Sequence, residues 1–184
     1  MEAADELMYE RGVAETTLND VRAASGTSKS QIYQHFADRD ALIRAVIAHR
    51  AKVLLDQQNH RLQRLDSLRG LELWRNALVE RNAVRNGAYG CPLGSLAAEL
   101  SDLDEGARLD IERSFATWHA MLRDGLERMR TRGVLTAKAE PEPLATGLLA
   151  ALQGGYLLAQ NARDVRPMEV ALDMAIDYVR TFSN

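Results

Sequence analysis

The sequence predicts an all-α fold, and its composition and the spacing of its breaks support that prediction. Leucine, alanine, arginine and glutamate, which favour helices, dominate long stretches of the 184-residue chain. Glycine and proline are sparse, with 12 and 4 residues respectively, and they mostly mark the breaks between those stretches. No alternating run of β-branched residues is long enough to predict a strand.

Helix-capping patterns justify two short helices near the amino terminus. Thr17 is followed three residues later by Asp20, and Ser28 is followed at the same spacing by Gln31. In such a capping box the first side chain bonds the backbone of the third helical residue, and the third side chain bonds back. Gly26 supplies the turn between the two segments. The sequence therefore predicts one short helix on each side of a glycine turn.

The remaining helices follow from breaks and from apolar spacing. A first helix ends at Gly12 with Leu7 and Met8 facing inward, and a long fourth helix begins after Asp38 and continues to about Leu65. Farther along the chain the predicted helices span about 71 to 86, 93 to 101, 105 to 132, 142 to 163 and 167 to 182.

Apolar rows on the last two predicted helices indicate what those helices pack against. Helix 142 to 163 mixes apolar residues with small ones, and small residues let another helix approach closely. The final helix carries two apolar rows, Val170, Met174, Tyr178 and Phe182 in one and Leu172, Ile176 and Val179 in the other. Two rows imply two partners, of which one is the helix's own core and the other a second subunit.

Composition argues against a membrane or secreted protein. With 46% hydrophobic and 27% charged residues the chain has the balance of an ordinary globular protein. No apolar run approaches the ~18 residues that a membrane span requires. The amino terminus shows no basic segment followed by an apolar stretch. We therefore expect a cytoplasmic protein that binds no membrane.

The sequence contains no motif that would indicate an enzyme. Its four histidines are dispersed, and its single cysteine, Cys91, cannot form an intrachain disulfide or a cysteine-based zinc cage. The segment GCPLGS at 90 to 95 lacks both the serine-centred elbow of a hydrolase and the lysine of a phosphate loop. We expect no catalytic residues, no metal and no cofactor.

The two capped helices and their turn form a helix-turn-helix pattern. Ile32 and Phe36 are placed to anchor the third helix against Leu18 and Val21 of the second. The side chains left outside that anchor are Lys29, Gln31, Tyr33, Gln34 and His35. Such side chains can read base edges and hold phosphates. The chain has a formal net charge of −3, yet residues 21 to 55 hold six basic and two acidic residues, which is the local charge that DNA binding requires.

Roughly the first 50 residues resemble the amino-terminal signature of the TetR family of bacterial transcriptional regulators. The matching residues are Gly12, Thr16, Thr17, Asp20, Val21, Ala23, Ala24, Ser25, Gly26, Thr27, Ser28, Ile32, Tyr33, His35, Phe36, Arg39, Asp40 and Leu42. The glycine turn, the Tyr-x-x-Phe spacing and the long helix that follows coincide in order and distance. The segment GCPLGSLAAEL also looks like a block found in one subset of these regulators.

The resemblance implies a three-helix DNA-binding head over residues 1–37 and a helical ligand-binding and dimerisation domain over 38–184. It also implies a double-stranded operator as partner and a homodimer that forms through 142–163 and 167–182. The residues that match DNA-facing positions are Thr27, Ser28, Lys29, Gln31, Tyr33 and His35, and those that match phosphate-holding positions are Thr17 and Arg39. The family usually has several residues, often basic, ahead of the segment AADEL. Either the phosphate contacts of such an arm are missing here, or the native chain begins upstream.

Residues of the middle helices could together line an apolar cavity with a few polar groups, which is the usual makeup of a small-molecule site. The candidate lining residues are Trp74, Leu78, Tyr89, Leu96, Phe115, Trp118, His119, Leu122, Gln153 and Tyr156. His119 fits equally well a satisfied histidine at the edge of the core. We interpret Cys91 as a packed thiol rather than a sensor, because no basic neighbour is visible in the sequence.

The sequence thus predicts a homodimeric repressor that binds a palindromic operator and is released by a small-molecule effector. The alternative is a helical dimeric adaptor or small-molecule-binding protein that does not bind DNA. That alternative accounts for the last two helices but leaves the polar third helix without a role.

Overall fold

A computed structural model describes all 184 residues, and it confirms the predicted all-α fold. The nine helices are α1 (Glu2–Arg11), α2 (Leu18–Ser25), α3 (Lys29–His35), α4 (Arg39–Leu62), α5 (Leu68–Ala83), α6 (Pro92–Leu100), α7 (Glu105–Thr131), α8 (Pro141–Ala162) and α9 (Arg166–Arg180). No helix combines the length and the apolar content that a membrane crossing requires.

Both predicted capping boxes are confirmed. The hydroxyl of Thr17 accepts from the Asp20 amide at 3.2 Å, and the Asp20 carboxylate accepts from the Thr17 amide at 2.9 Å. At the start of α3 the Ser28 hydroxyl accepts from the Gln31 amide at 3.2 Å, and the Gln31 side-chain oxygen accepts from the Ser28 amide at 2.8 Å. Gly26, with φ of 66°, makes the left-handed turn that ends α2.

The long fourth helix ends at Leu62, earlier than the predicted end at about Leu65. The Arg128 guanidinium donates to the last carbonyl of α4, that of Leu62, at 2.6 Å. It also donates to the carbonyl of Leu65, just beyond the helix, at 3.0 Å. Helix α5 begins earlier than predicted, since the Ser67 hydroxyl caps it by accepting from the Gly70 amide at 3.2 Å. Gly70 therefore lies inside the first turn of α5.

The chain divides into two compact units. The first unit contains Met1–Leu54 and Pro92–Ser114, and the second contains Leu55–Cys91 and Phe115–Asn184. The division falls within α4 and within α7. The expected functional boundary between residues 37 and 38 stays a prediction.

In the first unit, one buried arginine joins three helices. Arg50 of α4 is 4% exposed, and its guanidinium forms an ion pair with the Asp5 carboxylate of α1. It also donates to the Asp5 carbonyl at 2.7 Å and to the Pro92 carbonyl of α6 at 3.3 Å. On α1, Met8 is buried as predicted, whereas Leu7 is only half-buried and Ala4 takes the second inner position. The first helix is thereby held on a polar anchor as well as on apolar packing.

In the second unit, α8 and α9 pack on each other over most of their length. The close approach depends on Gly155, since a Cβ there would lie 2.9 Å from the Cα of Met168. A bidentate ion pair, with nitrogen to oxygen distances of 2.8 and 2.9 Å, ties Arg75 of α5 to Asp173 of α9. The predicted inner apolar residues of these helices are buried, namely Leu144, Leu148, Leu152, Tyr156, Leu172, Ile176 and Val179.

Candidate functional site

The third helix presents a polar outer surface and a single apolar anchor. Ile32 is its only buried residue, and Val21 of α2 is buried in the same unit. Phe36 is half-buried at the end of the helix. The predicted DNA-facing residues Ser28, Lys29, Gln31, Tyr33 and His35 are all exposed, and Thr27 is half-buried.

Two exposed residues of α3 that the predicted DNA-facing set omits lie farthest from its anchor. At 100° per residue, Ser30 and Gln34 point away from Ile32, whereas Gln31 and Tyr33 lie on the flanks. The side-chain oxygen of Gln31 is engaged in the capping box. The side-chain amide of Gln34, in contrast, is exposed and makes no hydrogen bond within the chain. Gln34 therefore keeps both the donor and the acceptor that bidentate reading of adenine uses.

A lysine and a tyrosine lie side by side on one flank of α3. The Lys29 ammonium nitrogen is 5.9 Å from the centre of the Tyr33 ring. Tyr33 is 49% exposed, so its ring and its hydroxyl are both accessible at the surface. The pair offers a cation and a phenolic donor at one place, and both groups suit a phosphate oxygen.

The two residues predicted to hold phosphate are already engaged within the chain. The Thr17 hydroxyl donates to the Asp20 carboxylate at 2.5 Å, and this hydrogen bond is the main cause that lowers the pKa of Asp20 below its usual value. The half-buried Arg39 donates to the carbonyl of Val13 at 2.5 Å and to that of Thr16 at 3.4 Å. Each of them thus has a structural role in the turn between α1 and α2.

Helix α6 supports the same turn from another direction. The Glu99 carboxylate accepts from the Val13 amide at 2.6 Å. Gly12 has a φ of 91°, and a Cβ there would lie 3.0 Å from the Glu99 carboxylate, so this position favours glycine twice over. Thr16 is 1% exposed and donates to the Gly12 carbonyl at 2.8 Å. We call residues 12 to 16 the braced turn, because Arg39 binds its carbonyls and Glu99 binds its amide.

Glu99 was not among the candidate residues, although the sequence holds a signal for it. It is the only charged residue in α6, whose other members are apolar or small. A single carboxylate in such a helix needs a donor when the helix packs into a core. The sequence cannot identify that donor, because the Val13 amide is 86 positions away.

The ten residues predicted to line a small-molecule cavity are the candidate effector-contacting residues. Nine of them belong to the second unit, and Leu96 belongs to the first. The buried members of the set are Trp74, Leu78, Leu96, Trp118, Leu122 and Tyr156, and the half-buried members are Tyr89, Phe115, His119 and Gln153. The rings of Phe115 and Trp118 are parallel within 3°, with centres 6.5 Å apart. Apolar and aromatic side chains thus dominate the set.

The polar members of this set differ in how they are satisfied. The Trp74 indole donates to the side-chain oxygen of Gln58 at 2.9 Å. The His119 ring nitrogen Nε2 lies 3.0 Å from the Thr146 hydroxyl, so α8 supplies a hydrogen-bond partner for this histidine. In contrast, the Trp118 indole nitrogen and the Gln153 amide nitrogen are buried and make no hydrogen bond within the chain.

An open groove lies where α4 ends and α5 begins. It encloses about 790 Å³ and includes only one of the candidate effector-contacting residues, Trp74. The residues that line it are Asp56, Gln57, His60, Arg61, Arg64, Leu65, Gly70, Leu73 and Trp74. The candidate set is therefore not gathered around this groove.

An exposed apolar face covers the outer side of α8 and α9. The two predicted rows of α9 separate as expected, with Leu172, Ile176 and Val179 buried and with Val170, Met174 and Tyr178 exposed. Met174 and Tyr178 are 69% and 61% exposed, and Phe182 is half-buried against the edge of the Tyr178 ring. On α8 the exposed apolar residues are Leu157 and Leu158. We call these α8 and α9 residues the outer apolar face.

Comparison with known proteins matches both ends of the chain to the same family. Residues 1–46 match the model described as bacterial regulatory proteins, tetR family. Residues 68–174 match the model described as transcriptional regulator LmrA/YxaF-like, C-terminal domain.

Individual relatives align over nearly the whole chain. An uncharacterized HTH-type transcriptional regulator from the lacX 3′ region of Lactococcus lactis is 29% identical over 94% of this chain and 87% of that protein. The HTH-type transcriptional repressor DhaR of Mycobacterium sp. strain GP1 is 24% identical over 96% of this chain and 88% of that protein. The crystal structure of regulatory protein TetR from Rhodobacter sphaeroides shares the fold, with a TM-score of 0.87, 20% identity and coverage of 96% of this chain and 95% of that chain.

Proposed function

The chain belongs to the TetR family of bacterial transcriptional regulators, and on that basis we propose that it is a homodimeric repressor released from a palindromic operator by a small-molecule effector. The observation that carries the DNA-binding part is the outer surface of α3. Its exposed residues are polar or basic, and it is started by a complete capping box. The exposed ends of its side chains can therefore reach a major groove without loss of core packing.

The assignment of DNA contacts follows from this geometry. Lys29 and Tyr33 lie together on one flank and suit a phosphate, while Gln34 lies opposite the anchor and suits a base edge. Ser28 starts the helix, where free amides also favour an anion. Arg39 can contribute a phosphate contact only with the guanidinium donors that the braced turn leaves free. Thr17 can do so only by giving up a bond to Asp20, because both its hydroxyl and its amide donate to that carboxylate.

The outer apolar face supports the homodimer. Large apolar side chains such as Met174 and Tyr178 are exposed on α9, and α8 adds two exposed leucines. Gly147 and Gly154 of α8 have no atom within 4 Å of the place where a Cβ would stand, so a second helix can approach there closely. A second copy of the chain, packed through the same face, would remove these side chains from water.

Binding of such a dimer to one operator requires a particular distance between its two α3 helices. Successive major grooves on one side of DNA are about 34–36 Å apart, so the two helices must match that distance or a multiple of it. An effector releases the operator only if it binds more tightly to a state in which the distance is wrong. Effector and operator must then weaken each other's binding by the same factor.

Selection of bound DNA from a random pool tests the proposal. We expect the wild-type chain to enrich a palindrome whose half-sites are about one helical turn, or a multiple of it, apart. A protein that dimerises in solution but enriches no sequence would instead support the adaptor alternative. Selection with an Ile32→Asp variant, which removes the anchor of α3, is the control and should enrich nothing.

A further inference from the structure

Three buried polar atoms of the second unit have no hydrogen-bond partner within the chain. They are the indole nitrogen Nε1 of Trp118, the amide nitrogen Nε2 of Gln153 and the amide oxygen Oδ1 of Asn82. Trp118 and Asn82 are 1% and 6% exposed. A buried donor or acceptor without a partner retains its full desolvation penalty, and native proteins contain few such groups. The Trp74 indole, which donates to Gln58, shows that this core otherwise pairs such groups.

The two unpaired donors lie at neighbouring levels of α7 and α8. The contact between the His119 ring and the Thr146 hydroxyl, at 3.0 Å, fixes how these helices are aligned. Gln153 follows Thr146 by about two turns, or roughly 10 Å along the helix axis. The Trp118 side chain leans toward the amino terminus of α7. This is the same direction because α7 and α8 run antiparallel, with Arg130 in contact with Ala139 and Arg123 in contact with Glu142. The Trp118 indole and the side-chain amide of Gln153 therefore lie at similar heights along the axes of the two helices.

The unpaired acceptor lies near the same part of α8. Asn82 is on the face of α5 that also carries the buried Trp74 and Leu78, at successive spacings of four residues. The carbonyl of Asn82 accepts from the Gly87 amide at 3.1 Å. Gly87 in turn abuts α8 so closely that a Cβ there would lie 2.6 Å from the Ala159 carbonyl oxygen. Asn82 is thus held close to the carboxy-terminal half of α8, which contains Gln153.

The second unit contains no buried charge that could neutralise an ionic ligand. Its buried polar side chains are Gln58 and Asn82, whereas the one buried arginine, Arg50, belongs to the first unit. A charged group brought into such a core without a counter-ion would lose its hydration and gain nothing equivalent. An uncharged molecule with hydrogen-bonding groups avoids that penalty.

We propose that Trp118, Gln153 and Asn82 bind one effector, an uncharged molecule with a flat apolar body, hydrogen-bond acceptors and at least one donor. The inference rests on the proposed function, in which the second unit binds an effector. The acceptors receive the indole and amide N–H groups, and the donor meets the Asn82 oxygen. The parallel rings of Phe115 and Trp118 suit a flat body.

Three probes with one ring system separate the features of this ligand class. They are 2-naphthol, which is uncharged and can donate and accept, 2-methylnaphthalene, which can do neither, and 2-naphthoate, which is charged. Calorimetric titration of the full chain should show that 2-naphthol binds about tenfold or more tightly than 2-naphthoate and several-fold more tightly than 2-methylnaphthalene. Absence of binding by all three probes overturns the inference, and so does equal binding of 2-naphthol and 2-naphthoate.

Conservative variants test the individual atoms. Trp118→Phe and Gln153→Leu should each weaken 2-naphthol about five- to tenfold more than they weaken 2-methylnaphthalene, because each removes a donor that only 2-naphthol can use. Trp74→Phe is the matched comparison. It removes the same ring volume but an indole that is already paired with Gln58, so any loss of affinity should be equal for 2-naphthol and 2-methylnaphthalene. If the two variants weaken all probes equally, the donors do not bind the ligand.

Stability without ligand gives an independent reading. Both Trp118→Phe and Trp74→Phe lose the same buried ring volume, but only Trp74→Phe also leaves Gln58 without its donor, so Trp118→Phe should lower the urea midpoint less than Trp74→Phe does. An equal loss in both variants would show that a buried water satisfies Trp118, and it would overturn the inference.

DNA selection by the ligand-free wild-type chain separates the two proposals. A selected palindrome with no probe bound overturns only the ligand class, and failure of the selection overturns the proposed function.

Discussion

The helix-turn-helix segment and the second unit treat their polar and apolar groups in opposite ways. In the segment, each capping box pairs two of the amides at the start of α2 and of α3, and the unengaged polar side chains face water. In the second unit, three polar atoms are buried without partners and large apolar side chains of α8 and α9 face water. The polar side chains of the segment are therefore available to a polyanion such as DNA. The unpaired buried atoms of the second unit match the proposed effector site, and its exposed apolar side chains match the proposed contact with a second copy.

The largest expected effect comes from breaking the outer apolar face. We expect the wild-type chain to sediment as a dimer in analytical ultracentrifugation and the double variant Met174→Asp/Tyr178→Asp to sediment as a monomer, because the contact would bury unpaired carboxylates from both copies. Operator affinity should fall by about a hundredfold or more, since each half-site then binds independently.

Val84→Asp is the matched control for the outer apolar face. Val84 is 83% exposed, but it lies at the end of α5, outside that face. It should leave the dimer and the operator affinity unchanged. A double variant that stays dimeric would place the subunit contact elsewhere.

The next largest effect concerns the braced turn, whose backbone groups are hydrogen-bonded by Glu99 and Arg39. Glu99→Ala should lower the free energy of unfolding by about 1–3 kcal/mol, because it leaves the partly buried Val13 amide without an acceptor. Operator affinity should fall as well, since the turn supports the start of α2. Urea unfolding and a DNA-binding titration measure the two effects.

Glu99→Gln retains an acceptor and should lose much less stability than Glu99→Ala. Glu105→Ala, which removes a carboxylate exposed to solvent at the start of α7, should leave both stability and binding nearly unchanged. Similar losses in all three variants would mean that the Val13 contact has no special role.

A smaller effect is expected on the polar surface of α3. Lys29→Ala should weaken operator binding and reduce the slope of log affinity against log salt by about one, because one phosphate contact is lost. The control is Lys138→Ala, an exposed lysine in the connection before α8. An unchanged slope in Lys29→Ala would assign Lys29 to a base edge or to no contact.

The smallest effect tests how much the serine cap of α3 contributes to the free energy of unfolding. Ser28→Ala should lower the free energy of unfolding by about 1 kcal/mol, since it exposes the Gln31 amide at the start of α3. Ser30→Ala lies two residues farther along the same helix, and its side chain makes no capping bond. It should be nearly neutral in the same urea titration. Equal effects would mean that the capping box contributes nothing.

The elements of the fold could be predicted from the sequence because their signals are local. The capping boxes at Thr17 and Ser28 and the two apolar rows of α9 depend on residues three or four positions apart. The misplaced boundaries have nonlocal or competing causes. Helix α4 stops at Leu62, whose carbonyl accepts from Arg128, distant in the sequence, and α5 starts before Gly70 because Ser67 caps it.

The candidate site could be predicted only in part, since side-chain partners are set by the folded chain. The polar surface of α3 follows from its own period, and the predicted capping box already engages Gln31, but the unpaired side-chain amide of Gln34 is seen only in the structure. Glu99 is missed because its partner is a backbone amide of a distant turn. Trp74 and Trp118 look alike in the sequence, and only the structure distinguishes the paired indole from the unpaired one.

The spacing between operator half-sites tests the contrast between the two regions most directly. If a second copy completes the outer apolar face and thereby fixes the distance between two α3 helices, insertion of five base pairs between the half-sites of the selected operator should turn one half-site to the opposite side of the duplex. We expect the affinity of the wild-type chain to fall by about a hundredfold or more. An affinity that does not change with the insertion would show that each α3 binds on its own, and it would contradict the account.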